Sequence, residues 1–149
     1  MSESLVIAAA RRTPIGAFQG VFAPVSATQL GAVAAKAALA DAGVGPEAID
    51  EAIFGCVLPA GLGQAPARQA ALGAGVALSV PATTVNKMCG SGMKAVMLAA
   101  DQIRAGSAQV VLAGGLESMT NAPYLMLKAR AGYRMGTAEI YDHMFLDGL

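Results

Sequence analysis

Val85-Asn86-Lys87-Met88-Cys89-Gly90-Ser91-Gly92-Met93-Lys94-Ala95 is the stretch around which the chain is built. Before it, Pro81-Ala82-Thr83-Thr84-Val85 is short, β-branched and opened by proline, the pattern of a buried strand. After it, Met93, Val96, Met97 and Ala100 recur at helical spacing as far as Arg104, and Gly106 stops the run. Cys89 is therefore expected on a tight turn from strand into helix. The N–H groups and dipole of a helix start favour thiolate over thiol, and thiolate is the nucleophile. Gly90 and Gly92 leave room for a substrate beside the sulfur. The Cys89 N–H and its neighbours can donate to an oxyanion formed at an attacked carbonyl. The competing reading is a small buried hydrophobe with an inert thiol. The Gly-Ser-Gly neighbours favour the reactive reading, because core packing needs no such pair of glycines.

The 149 residues suffice for one domain, but 55% are hydrophobic and 13% charged, against a charged share of about 25% in ordinary domains. That leaves too little charge to cover a complete surface, so much of the chain is expected to face other protein. Ten basic and ten acidic residues balance, which argues against nucleic acid or an anionic membrane as partner. No apolar run approaches the roughly 18 residues of a membrane helix. Glu3 and the position of Arg11-Arg12 after the first apolar segment fit neither a presequence nor a twin-arginine signal. Cys56 and Cys89 give no metal-ligand spacing, and a reducing cytoplasm is the expected compartment.

In chain order, Leu5–Ala10 reads as a central strand, apolar on both faces. Ser26-x-x-Gln29 has the form of a capping box, opening an alanine-rich helix to about Ala42 before Gly43. Pro46-Glu47 gives one helical turn, and Ala52–Leu58 the next strand. Gly61-Leu62-Gly63 lacks the third glycine and the lysine of a phosphate loop and reads as a turn. Pro66–Leu72 is a short helix, and Gln109–Ala113 a fourth strand. Strands alternating with helices predict βαβ units and a layered, largely parallel α/β sheet. From Glu117 onward periodicity is lost, and more than thirty such residues exceed an ordinary connection. They read as the start of an excursion that the chain does not complete. His143, beside Asp142, is expected to be solvated or locally bonded, Cys56 to be core, and the methionines to fill gaps in packing. Lys87 and Lys94 either lower the Cys89 pKa or point to solvent.

Residues Val85–Ala95 resemble the thiolase family, in particular its biosynthetic acetyl-CoA acetyltransferases. So do Ala9–Gly16, Gly63–Gln69, Ala113–Met119, Asn121–Tyr124 and Gly132–Gly136, in the same order along the chain. The resemblance implies a thiolase-type βαβ fold, first half only: an N-terminal unit over 1–116 (βαβαβαβ), with 117–149 beginning the CoA-binding loop region. It implies that Cys89 takes an acyl group from acyl-CoA as a thioester, which a second acetyl-CoA attacks to give acetoacetyl-CoA, or the reverse. Coenzyme A thioesters enter as substrates, no separate cofactor is expected, and Leu149 is placed against the pantetheine arm. A homo-oligomer, dimer or tetramer, is implied. The family's catalytic histidine and second cysteine belong to C-terminal motifs; the 149 residues end before these, before most of the CoA-binding loop region and before the strand that completes the first half's sheet, so His143 and Cys56 inherit neither role. Two other readings stand beside this one. A β-ketoacyl carrier-protein synthase also uses a cysteine at such a turn, but in a Thr-Ala-Cys setting. A non-catalytic fragment would act only through association with other subunits.

Overall fold

The computed structural model describes residues 4–149. Helix α1, Ala27–Ala42, begins where Ser26 and Gln29 cap each other. Ser26 Oγ accepts the Gln29 N–H at 3.2 Å, and Gln29 Oε1 accepts the Ser26 N–H at 2.9 Å. The helix ends at Gly43, whose φ of 63° a side chain would resist. Its buried stripe, Ala27, Gly31, Ala35 and Leu39, recurs every four residues. The small residues of that stripe let α2, Pro66–Gly73, lie close against it.

Strands β1 (Glu51–Gly55), β2 (Ala82–Val85) and β3 (Val111–Gly115) form a parallel sheet in the order β2-β1-β3. Ile53 is paired with Thr83 on one side and Ala113 on the other. The chain steps from β1 to β2 through α2, then back across β1 to β3 through α3, Ser91–Arg104. Right-handed crossovers in opposite directions put their helices on opposite faces. Ala52, Phe54 and Cys56 accordingly point into the core shared with α1 and α2, and Gly55, one residue out of phase, touches the start of α3. The result is three layers, as a βαβ pattern predicts. The start of β3 is held by Asp50, whose carboxylate accepts the N–H groups of Gln109 at 2.7 Å and Val110 at 2.9 Å.

The segment expected as the first strand differs. Leu5–Ala10 makes no ladder, and Val6 and Ile7 are exposed. The N-terminal unit therefore runs αβαβαβ, not βαβαβαβ; residues 1–3 of the expected 1–116 unit lie outside the described residues. The reason is spatial. Among the described residues strand β3 pairs only with β1, and its other edge faces an apolar groove of about 480 Å³ lined on the far side by Leu5–Arg11. An apolar segment becomes a strand only when a partner's N–H and C=O groups lie beside it.

Beyond β3 the excursion contains a two-residue antiparallel pair, β4 (Tyr124–Leu125) with β5 (Tyr141–Asp142). A wide helical turn over Met144–Gly148 follows. The sequence carries no periodicity for elements this short.

Candidate active site

Cys89 lies where β2 gives way to α3, at the carboxyl edge of the sheet, as the strand-to-helix pattern predicts. It is exposed. The turn leading to it is closed by its own polar groups. Asn86 Oδ1 accepts the Met88 N–H at 2.9 Å, and Ser91 Oγ accepts the Lys87 N–H at 2.9 Å. Lys87 O accepts the Gly90 N–H at 3.1 Å. Met88 O receives both the Ser91 hydroxyl, at 2.6 Å, and the Ser91 N–H, at 3.0 Å. Met88 is held at φ 48°, a left-handed conformation costing a non-glycine residue about 1–3 kcal/mol.

Close packing beneath the turn seats α3 on the sheet. A Cβ at Gly55 would stand 2.5 Å from the Ser91 carbonyl carbon and 2.7 Å from Gly92 N. Gly92 in turn lies against Gly115, where an added Cβ would be 3.3 Å from the Gly92 Cα. No side chain caps α3. Among the described residues the N–H groups of Cys89, Gly92 and Met93 have no acceptor. An accessible sulfur thus stands beside unsatisfied donors at a helix start, an arrangement suited to attack on a carbonyl and to holding the oxyanion that results. Lys87 is exposed and Lys94 half-buried, and neither forms an ion pair among the described residues.

Cys56 is the other kind of cysteine. It is buried, its Sγ donates to Glu117 Oε1 at 3.6 Å, and burial first, then the Glu117 charge, push its thiol up to about 12. Glu117 also accepts the N–H groups of Val57 and Leu58, each at 2.9 Å, so it fixes the loop leaving β1. Its partners lie about sixty residues earlier, and no local signal in the sequence marks them. His143 is buried and locally bonded: Nδ1 lies 2.6 Å from Asp147 Oδ2, and Nε2 accepts the Ala60 N–H at 3.4 Å. An accepting Nε2 places the proton on Nδ1, which donates to Asp147. The carboxylate of Asp142, the neighbour in sequence, instead accepts the Met144 N–H. Leu149 is exposed at the end of the excursion, and no described residue group could hold a metal ion.

Residues 5–149 match the family described as thiolase, N-terminal domain. The chain is 55% identical over 145 residues to an acetyl-CoA acetyltransferase of Cupriavidus necator, covering 97% of this chain and 37% of that protein. The corresponding protein of Escherichia coli is 53% identical over 148 residues, covering 99% and 38%. Acetyl-CoA acetyltransferase 2 of Arabidopsis thaliana is 54% identical over 147 residues, covering 99% and 36%. The chain spans a little over a third of the length of these relatives.

Proposed function

The chain belongs to the thiolase family, and we propose that it works as the N-terminal portion of an acyl-CoA C-acetyltransferase in which Cys89 is the acylated nucleophile. The observation that supports this most is the exposed Cys89 on a strand-to-helix turn where the Cys89, Gly92 and Met93 N–H groups have no acceptor among the described residues. The Cys89 thiolate attacks the thioester carbonyl of acetyl-CoA. The C–S bond to coenzyme A breaks, the coenzyme leaves as its thiol, and the acetyl group stays on Cys89. The α carbon of a second acetyl-CoA, having lost a proton, attacks the acetyl-cysteine. This forms the new C–C bond of acetoacetyl-CoA and frees the Cys89 sulfur; thiolysis is the same path reversed.

The proton transfers need an acid–base pair that the described residues do not supply. His143 has both ring nitrogens engaged in holding loops together, and Cys56 is buried and keeps its proton. These groups are assigned to the C-terminal portion that the thiolase resemblance implies, and the 149 residues alone are inactive. Leu149 is proposed to meet the pantetheine arm, and the complete protein to be a cytoplasmic homo-oligomer. Exposed Met93, Val96 and Met97 on α3 support burial against further protein.

The test is turnover of acetoacetyl-CoA with coenzyme A by the complete polypeptide carrying these residues. Activity is expected with coenzyme A thioesters, absent from the 149-residue chain and from Cys89→Ala. Turnover of carrier-protein thioesters alone, or an active Cys89→Ala protein, would refute the reading.

A further inference from the structure

We infer that Ser91 is a positioning residue: its hydroxyl holds the Met88–Cys89 peptide so that the Cys89 N–H points out of the turn toward the substrate carbonyl. The inference rests on the reading of Cys89 as the acylated nucleophile and adds to it a residue that does not itself touch the reacting atoms.

The carbonyl of Met88 and the N–H of Cys89 belong to one planar unit, and in a trans peptide they point in opposite directions. Among the described residues no peptide is cis. Met88 O is drawn inward by two donors from a single residue, the Ser91 hydroxyl at 2.6 Å and the Ser91 N–H at 3.0 Å. The Cys89 N–H must therefore point outward, and among the described residues it has no acceptor.

The same hydroxyl oxygen accepts the Lys87 N–H at 2.9 Å. One side-chain atom thus grips the peptide before Lys87 and the peptide after Met88, which brackets the residue held at φ 48°. Rotation of the Met88–Cys89 plane would break both bonds to Met88 O and turn the Cys89 N–H inward.

Ser91 is itself immobilised. It is 5% exposed, and its Cβ and carbonyl carbon lie against Gly55, where an added Cβ would come within 2.5 Å of both. The sheet fixes Ser91, Ser91 fixes the peptide, and the peptide aims the donor. A serine that served only to begin the helix would bond N–H groups two or three residues ahead of it; this one reaches backward into the turn.

An oxyanion develops during acyl transfer from a thioester but not during displacement of iodide from iodoacetamide, so the two reactions separate donor placement from access to the sulfur. In the complete polypeptide, acetylation of Cys89 by acetyl-CoA and its alkylation by iodoacetamide are timed for wild type, Ser91→Ala and Ser91→Thr, with melting curves for each. Ser91→Ala is expected to slow acetylation about 10- to 100-fold, the scale of a misplaced donor, while alkylation and melting stay near wild type. Ser91→Thr, which keeps the hydroxyl, is expected to retain acetylation.

Wild-type acetylation in Ser91→Ala, an equal loss of both reactions, or a Ser91→Thr protein as slow as Ser91→Ala would overturn the role of Ser91 and leave Cys89 its own. A wild-type protein that is alkylated but never acetylated at Cys89 would instead overturn the underlying functional reading.

Discussion

Gly55 is the residue on which the geometry of the Cys89 turn leans hardest. An alanine there must push a Cβ to within 2.7 Å of backbone atoms of Ser91 and Gly92, and backbone seated on a sheet has nowhere cheap to go. Gly55→Ala is expected to lower stability by about 1–3 kcal/mol, the usual cost of overpacking, and to displace the start of α3; a denaturant melt measures the first effect. The two cysteines should differ sharply to a thiol reagent. Peptide mapping after brief native alkylation is expected to find Cys89 modified and Cys56 unmodified, with both modified after unfolding. The Cys56 thiol keeps its proton up to about 12 when folded, against an ordinary value of 9.0. The stability it contributes is therefore fully present below pH 9 and is lost as pH rises from there toward 12. Cys89, Ser26 and Gln29 could all be read from the sequence because their signals are local, a few residues of fixed spacing. Glu117 could not: its role depends on Cys56, Val57 and Leu58, which the fold alone brings to it. His143 lies between: its sequence context allows either a solvated or a locally bonded ring, and the bond it makes is to Asp147, one helical turn on.

Elements followed the same rule. Helices with punctuation at their ends were readable: the Ser26–Gln29 box and Gly43 bracket α1, and Pro66 opens α2. Ser26→Ala removes one half of that box and is expected to cost about 1 kcal/mol, measurable by thermal or chemical unfolding. Leu5–Ala10 has the composition of a strand but not a strand's neighbour. Composition reports what a segment would bury, whereas a ladder needs another backbone about 4.8 Å away. The free edge of β3 and the Leu5–Arg11 wall face each other across an apolar groove, and we propose that the strand the resemblance assigns to the rest of the sheet enters it. In the complete polypeptide the amides of Leu5–Ala10 and Val111–Gly115 are expected to exchange with solvent far more slowly than in the 149-residue chain. Equal exchange in the two would leave the groove without that strand.

At the level of the molecule, the shortage of charge noted in the sequence has a structural counterpart. Val6, Ile7, Met93, Val96 and Met97 are exposed on surfaces flanking the groove and on α3, the kind of apolar surface that a protein contact covers. The 149-residue chain is accordingly expected to self-associate in light scattering, and the complete polypeptide to form one defined oligomer. The layered parallel sheet was readable as a whole because alternating strands and helices admit few arrangements; the order β2-β1-β3 and the β4–β5 pair were not, since both are choices among distant partners. What the layers accomplish is to bring the carboxyl ends of three strands together and place one exposed thiol, that of Cys89, where they meet. That thiol is the centre of the account. It is tested most directly by mixing the complete polypeptide with acetyl-CoA, quenching in acid and mapping the acetylated peptide. A single acetyl group on the peptide containing Cys89, absent in Cys89→Ala, is the predicted result. An acetyl group found on another residue, or retained when Cys89 is alanine, would contradict it.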